Sequence, residues 1–267
     1  MDTVTPIPAA TGSQVAILGT TNDWDASSSE NFVSLTNAWL AQGGIVMVSQ
    51  SPVNPLNGAA FATVTQPGTA AYNAWHAYLD TQIAKFKQIN GAVIWRPFIE
   101  LNKNWSWWSS SEGTQQATFQ LLWQQMHTYF AANGVTNVLF MFNVNDGDTT
   151  ADVTSWYPGA SYVDVVSIDA YPPSMSYDPA VYAALTATGK PLIYAEVGGN
   201  NNNSNEAPSS FDNSSILATI KTNFPKVVGV VFWGQNEGIA QQNGASTLMS
   251  DPAIITLSDI PAAMANR

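Results

Sequence analysis

Two glutamates stand where a pair of carboxyl groups could act together. Glu100 and Glu196 each follow a strongly apolar run, AVIWRPFIE and PLIYAEVGG, in a chain that has six glutamates in all. Cleavage of a glycosidic bond needs one carboxyl group to protonate the leaving oxygen and a second to attack, or to activate water at, the anomeric carbon. Apolar surroundings raise the pKa of a carboxyl group and a nearby cation lowers it, so such a pair can divide the two roles. The residues alone leave inversion and retention both open.

Aromatic residues crowd the same regions of the chain. Tryptophans surround Glu100, and aromatic residues also end two later apolar runs: Trp95, Trp105, Trp107, Trp108, Tyr171 and Trp233. Because aromatic rings stack on the apolar C–H faces of sugars, tryptophans beside carboxylates indicate a saccharide groove. The competing interpretations are that each glutamate pairs with Arg96 or caps a loop, and that tryptophan fills the core. We adopt the core interpretation for the tryptophans of helical segments, Trp39, Trp75 and Trp123.

The elements that would carry these residues alternate between short apolar runs and longer helical stretches. The runs are 15–19, 45–49, 92–98, 138–144, 163–168, 192–197 and 227–233. The helical candidates lie near 30–42, 72–90, 114–133, 178–188 and 210–223. This alternation is typical of repeated βα units around a parallel sheet. In a parallel barrel the catalytic residues follow the strands, which is where both glutamates stand.

The predicted fold is therefore an α/β chain, a (β/α)8 TIM barrel, formed by residues 1–267 as a single domain. Seven apolar runs are one short of a closed barrel. The first strand is either hidden in the weak N-terminal segment, for example at Thr3 to Pro8, or missing. The alternative architecture, an open doubly wound sheet, usually shows a glycine-rich phosphate turn after an early strand, and none is evident.

Composition excludes several classes of partner. The net charge of -11, with 8 Lys and Arg, repels phosphate backbones and anionic headgroups, so neither nucleic acid nor a membrane is expected as a partner. No cysteine is present, and the two histidines, His76 and His127, stand in helical segments, so we expect no metal and no cofactor. We predict a secreted monomer whose signal peptide is not present in this chain, because low charge and abundant Asn and Thr suit an extracellular enzyme.

A long motif around Glu100 resembles a known family. Residues 95–108 read WRPFIELNKNWSWW, which is similar to the signature Arg-Pro-x-His-Glu-x-Asn-x-x-Trp-x-Trp-Trp of glycoside hydrolase family 26. WYPGASYVDVVSIDAY (156–171) looks like the family's Trp-Tyr-Pro-Gly segment and the strand that ends Asp-x-Tyr, and PLIYAEVGG resembles its nucleophile strand. GGIVMVSQSPVNP (43–55) and AWHAYLDTQIAKFKQI (74–89) also follow family patterns, so the likeness spans roughly residues 14–235.

This resemblance implies a clan-A barrel and double displacement with retention, with Glu100 as acid/base on the fourth strand and Glu196 as nucleophile on the seventh. Our strand order has them third and sixth, which puts the missing strand upstream of Glu100. By the same likeness, Arg96 and Tyr171 orient and ionise the nucleophile. Trp233 would form the floor of the subsite for the attacked sugar, and Trp105 and Trp108 would line the cleft.

The chain also departs from the family pattern. Ile99 stands where the family has a histidine directly before the acid/base, and Ser51 replaces a second histidine, so contacts to sugar hydroxyls are lost. The end of the fifth family strand lacks an expected aromatic residue. Asn143, Asn145 and Asp146 remain there as alternative sugar contacts, and we take Asn145 as a substrate-binding residue.

The leading hypothesis is an endo-acting β-glycanase that hydrolyses a plant or algal cell-wall polysaccharide, with endo-1,4-β-mannanase as the first expectation. A β-1,3-xylanase or a mixed-linkage β-glucanase of the same family is the alternative. A hypothesis of another class is a carbohydrate-binding protein that keeps the barrel but has weak or no turnover because of Ile99 and Ser51. The required partner in every case is a polysaccharide or oligosaccharide.

Overall fold

A seven-stranded parallel sheet organises the molecule. The computed structural model describes residues 6–21, 29–109, 115–146, 153–171, 179–198, 212–233 and 238–260. The strands are hydrogen-bonded in chain order. Their bounds are β1 Ile17–Thr21, β2 Ile45–Ser49, β3 Val93–Arg96, β4 Val138–Asn145, β5 Val165–Ala170, β6 Leu192–Val197 and β7 Val227–Phe232. The first and last strands also contact each other, so the sheet curls into a nearly closed α/β barrel.

Except for the first, which precedes β1, the helices follow the strands and cover the outside of the barrel. Their bounds are α1 Ile7–Thr11, α2 Ser29–Ala41, α3 Ala70–Phe86, α4 Gln116–Ala132, α5 Val153–Trp156, α6 Pro179–Ala187, α7 Asn213–Asn223 and α8 Ala245–Met249. Local sequence sets where some of them begin. The Thr69 side chain accepts a hydrogen bond from the Tyr72 backbone N at 3.1 Å at the start of α3, and Asp212 does the same for Ser214 at the start of α7. Such caps satisfy backbone donors that the first turn leaves unpaired.

Side chains of successive strand residues point alternately into the barrel and out towards the helices. The outer residues join the apolar faces of the helices in the main core, for example Trp95 of β3 stacked on Phe130 of α4 with ring centroids 4.8 Å apart. The inner residues form a separate apolar cluster along the barrel axis: Ile17, Met47, Ile94, Met141, Val165, Ile193, Ala195 and Val231. Burial on both faces explains why the strands read as nearly continuous apolar runs.

The barrel closes between β1 and β7 by side-chain packing. Each named strand is hydrogen-bonded to its neighbours in chain order, and β1 and β7 are the two ends of the described sheet. They approach closely because a glycine in each strand faces a side chain of the other strand. A Cβ atom on Gly19 would lie 2.5 Å from Val231 Cγ1, and one on Gly229 would lie 3.2 Å from Ile17 Cδ1. Glycine is therefore needed in β1 to let the two edges meet.

The structure confirms the predicted barrel, with all seven predicted strands and the five predicted helices present and their ends shifted by a few residues. The suggestion of a strand at Thr3 to Pro8 is wrong for its described part, because Ile7 begins a short helix that Gly12 ends with φ 80°. Residues 3–5 lie outside the described residues. Over the described part of the chain, no helix has the length and hydropathy to cross a membrane. The single domain over 1–267 stays a prediction.

Closure through Gly19 can be tested with a double-mutant cycle. Gly19→Ala should lower the free energy of unfolding by about 1–3 kcal/mol, because the new methyl group overlaps Val231 Cγ1. In a Val231→Ala background the overlapping methyl is gone, so the same change should cost clearly less. Urea unfolding of the four proteins measures both costs. An equal cost in the two backgrounds would contradict the packing described for the seam.

Candidate active site

Polar residues replace apolar ones at the carboxyl end of the barrel interior. Two positions beyond each inner apolar residue, on the same face, the strands present Ser49 after Met47, Arg96 after Ile94, Asn143 after Met141 and Ser167 after Val165, followed by Asp169. All five polar residues are buried. Because parallel strands end at one edge, this layer gathers charged groups from strands far apart in sequence, as in other parallel barrels.

Arg96 is the centre of this layer. Its side chain is fully buried and bonds to three partners: Nε donates to Ser49 Oγ at 2.9 Å, Nη1 to both oxygens of Asp169 at 2.7 and 2.8 Å, and Nη2 to Glu196 Oε1. Burial acts to lower the pKa of Arg96, but attraction to Asp169 and Glu196 outweighs it and the net shift is upward. The guanidinium is therefore a fixed positive charge between two carboxyl groups.

Asp169 has the opposite electrostatic situation. Burial is the largest influence on its carboxyl group and raises its pKa well above the usual value, and the nearby carboxyl groups of Glu196 and Glu100 act in the same direction. Arg96 and a hydrogen bond from Asn143 oppose this shift. The carboxyl group of Asp169 thus depends on these donors for compensation inside the barrel.

A β-bulge turns Glu196 into the barrel. Ile193 and Ala195 point inward, so strict alternation would send Glu196 outward towards the helices. On the β5 side, Ile168 pairs with Tyr194 but Asp169 pairs with Glu196, so β6 holds one extra residue. The β7 side shows the same extra residue, since Tyr194 and Val197 pair with residues only two apart in β7. The inserted residue reverses the alternation and re-aims the glutamate.

Both oxygens of Glu196 are then held. Oε1 accepts from Arg96, and Oε2 accepts from the Tyr171 hydroxyl at 2.7 Å. Only 6% of Glu196 is exposed. The structure therefore brings Arg96 and Tyr171 onto Glu196, as the family resemblance implied, and their contacts fix the orientation of its carboxyl group.

Glu100 is placed differently, in the loop directly after β3. Its backbone is left-handed, with φ 50°, which is unusual for a residue other than glycine. Its backbone N donates to Asn143 Oδ1 at 2.6 Å. Its carboxyl group accepts from Trp105 Nε1 at 2.8 Å and from Asn145 Nδ2. Glu100 is partly exposed, so it can reach a bound ligand.

Three carboxyl groups therefore meet in one place. One oxygen of each of Glu100, Asp169 and Glu196 lies within 4.8 Å of the others. Carboxyl groups about 5–5.5 Å apart are typical of retaining glycosidases, whereas inverting enzymes need about 6.5–9.5 Å. These three residues are also the acidic group that could bind a metal ion among the described residues. Arg96 already supplies a cation to two of them, so a divalent ion would meet a positive charge at the same oxygens.

The other predicted site residues differ in how exposed they are and in whether they contact Glu100. Trp105 is half-exposed beside Glu100, which suits a wall of the cleft. Trp108 does not suit that role, because it is only 2% exposed and its Nε1 donates to the Ile99 carbonyl at 2.9 Å. Asn145 is bonded to Glu100. Trp233 is partly buried directly after β7, where its backbone N donates to the Val197 carbonyl.

The sequence alone did not indicate Asp169 or Ser49 as site residues. It indicated Asn143 as a possible sugar contact and not as a buried partner of Asp169. The signal was present, because Ser49 and Asn143 each lie two positions beyond an inward apolar residue and Asp169 lies four beyond Val165, on the same face of its strand. In the sequence, Asp169 stands out only as the first residue of the Asp-x-Tyr motif. Ile99, which replaces the family's histidine before Glu100, is buried in the main core with 8% exposure.

Comparison with known proteins agrees with this geometry. The family model described as Glycosyl hydrolase family 26 matches residues 2–259. Mannan endo-1,4-beta-mannosidase A and B of Caldalkalibacillus mannanilyticus is 29% identical over 87% of this chain and 48% of its own length. Mannan endo-1,4-beta-mannosidase of Bacillus subtilis is 27% identical over 95% of this chain and 75% of its own length. The chain thus spans about half of the first relative and three quarters of the second.

A solved structure is similar over most of the fold. The Bacillus subtilis mannanase BCman superposes with a TM-score of 0.81 and 25% identity, covering 95% of this chain and 81% of that one.

The buried Arg96 should contribute far more to stability than an exposed ion pair. Arg96→Met should lower the free energy of unfolding by about 3–5 kcal/mol at pH 7, because it leaves Asp169 and Glu196 buried without a cation. The matched control is Lys221→Met, which removes the exposed pair with Asp251, and its cost should be much smaller. Urea unfolding measures both, and equal costs would show that Arg96 does not hold the polar layer together.

Proposed function

Because the chain belongs to glycoside hydrolase family 26, we propose that it is a retaining endo-β-glycanase that cleaves β-1,4-mannan, with Glu196 as nucleophile and Glu100 as acid/base. The observation that carries the proposal is the approach of the two carboxyl groups, whose oxygens come within 4.8 Å. At this spacing one carboxylate can attack the anomeric carbon while the other carboxyl group reaches the leaving oxygen. The gap leaves little room for the water molecule that attacks in an inverting enzyme.

In the first step, an oxygen of Glu196 attacks the anomeric carbon while the carboxyl proton of Glu100 passes to the departing glycosidic oxygen. The C–O bond to the leaving sugar breaks and a glycosyl ester to Glu196 forms. Arg96 and Tyr171 favour this step because they fix the orientation of the attacking carboxylate before the substrate arrives. The positive charge of Arg96 also compensates the charge that the carboxylate carries in the buried layer.

In the second step, Glu100, now a carboxylate, takes a proton from a water molecule that attacks the same anomeric carbon. The ester bond breaks, Glu196 is released as a carboxylate, and the sugar is left with its original configuration. Glu100 suits an exchange of protons with solvent because it is partly exposed, whereas Glu196 is buried. Trp105 and Asn145 hold the two oxygens of Glu100 between the steps.

The substrate proposal has separate support. Both curated relatives described above are named as mannan endo-1,4-beta-mannosidases, and the half-exposed ring of Trp105 offers a surface on which a sugar can stack. The net charge of -11 favours a neutral polysaccharide over one that carries carboxylate or sulfate groups. Ile99 and Ser51 make β-1,3-xylan and mixed-linkage β-glucan the other substrates to test. We further propose that the protein acts outside the cell as a monomer.

Replacement of each glutamate by its amide tests the assignment. Glu100→Gln should lower kcat on mannan by about 10²- to 10⁴-fold, because the leaving oxygen loses its proton donor. Glu196→Gln should abolish measurable release of reducing ends. Asp251→Asn is the matched control, since this exposed carboxylate pairs with Lys221 away from the site and its loss should leave kcat unchanged. Reducing-end assays on mannan, xylans and β-glucans supply the rates.

Two results would contradict the proposal. Wild-type hydrolysis in both amide variants would show that other residues carry the chemistry. Saturable binding of a glycan with no release of reducing ends by the wild-type protein would instead identify a carbohydrate-binding protein.

A further inference from the structure

Asn143 is a buried residue that contacts both halves of the site. It lies at an inward position of β4 and has no exposed surface. Its Oδ1 accepts from the backbone N of Glu100 at 2.6 Å, and its Nδ2 donates to Asp169 Oδ1 at 2.9 Å and to Ser167 Oγ at 3.0 Å. These contacts join the loop that carries Glu100 to the polar layer inside the barrel.

A continuous path of hydrogen bonds then connects the two glutamates. It runs from the Glu100 backbone to Asn143, from Asn143 to Asp169, from Asp169 to Arg96, and from Arg96 to Glu196. The members of the path inside the barrel, Asn143, Asp169 and Arg96, have no exposed surface. Since water cannot replace a partner in such a layer, each bond restricts the position of the next group.

The chemistry of the path requires an amide at this position. The backbone N–H of Glu100 can only donate, so its partner must accept, whereas Asp169 Oδ1 also accepts from Arg96, so its partner must donate. One side chain that reaches both must therefore carry an acceptor and a donor a fixed distance apart. Ser167 Oγ donates to the Phe142 carbonyl at 3.1 Å and so is free to accept from Asn143, which fixes the orientation of the amide.

The hydrogen bond from the Glu100 backbone N to Asn143 restrains an unusual backbone conformation at Glu100. Glu100 is one of two non-glycine residues with positive φ in the described part of the chain, the other being Asn57. A non-glycine residue keeps this backbone conformation only when its surroundings hold it there. Asn143 bonds directly to the backbone N of that residue. Loss of the amide would remove the restraint on the backbone of Glu100 and leave only Trp105 and Asn145 to hold its carboxyl group near Glu196.

We infer that Asn143 is a positioning residue, which sets the separation of Glu100 from Glu196 by tying the backbone of the first to the Asp169 and Arg96 support of the second. This inference rests on the proposed function. Glu196 has its own supports in Tyr171 and the β6 bulge, so the loss of Asn143 displaces mainly Glu100. The step that depends on Glu100 as proton donor is therefore the one that suffers.

The control for this inference lies at the other end of the same strand. Asn137 directly precedes β4, and its Nδ2 donates to the carbonyls of Phe86, Ile89 and Gly91 at 3.0 to 3.2 Å. It is an asparagine with several backbone contacts at the opposite end of β4. Asn137→Ala should lower the melting temperature and leave kcat unchanged.

Asn143→Ala should lower kcat on mannan by about 10- to 100-fold with KM within about threefold of wild type, because a small displacement of a catalytic group costs rate more than binding. Each variant is assayed well below its own melting temperature. Asn143→Ser keeps a polar group in the layer but cannot span from Glu100 to Asp169, so it should show the same loss of kcat. It serves as the second variant if Asn143→Ala folds poorly.

Leaving-group dependence separates positioning from general damage. With aryl β-mannobiosides, kcat/KM of Asn143→Ala should approach the wild-type value for a dinitrophenyl leaving group, which departs without protonation, and should fall for a poor leaving group. An equal loss for both leaving groups, or a kcat matching that of Asn137→Ala, would overturn the inference. If wild type released no product from any glycan, the proposed function itself would fail, so the two failures are distinguishable.

Discussion

The buried guanidinium of Arg96 is the interaction on which the site depends. Without it, Asp169 and Glu196 would be two carboxyl groups in close contact inside the barrel, and the cost of burying them would be uncompensated. Arginine suits this position because its planar fork bonds to both carboxyl groups and to Ser49 at the same time, which lysine cannot do. The guanidinium offsets part of the negative charge of the two carboxyl groups, and its contacts are specific enough to orient Glu196.

The barrel supplies what such a cluster needs. Parallel strands end at one edge, and side chains two apart share a face, so the inner face can change from apolar to polar within two residues of a strand. Two departures from regular geometry complete the arrangement. The β6 bulge turns Glu196 inward, and the left-handed backbone of Glu100 brings its carboxyl group back towards the barrel axis. Irregular backbone of this kind occurs where function requires a side chain to be re-aimed.

Much of this could be predicted from the sequence. Strands buried on both faces are apolar runs, so all seven were identifiable, and a charged residue at the end of such a run, as at Glu100 and Glu196, stands out. The bulge could not be predicted, because an extra residue in β6 is defined only by the pairing of its neighbours. Burial of Trp108 was missed for a similar reason, since a tryptophan in a loop can pack inward or face the cleft. The hydroxyl and carboxyl partners of Arg96 come from strands far apart in sequence, and only the curled sheet brings them together.

The central claim is that a buried, oriented Glu196 and a partly exposed Glu100 lie close enough for double displacement. The anomeric configuration of the first product tests it most directly, because it depends on whether a carboxylate or a water molecule attacks the sugar. Proton NMR during the first minutes of hydrolysis of a β-linked oligosaccharide, before mutarotation, should show the new reducing end as the β-anomer. Initial appearance of the α-anomer would contradict the account, because it would mean direct attack by water on a site too narrow to hold it.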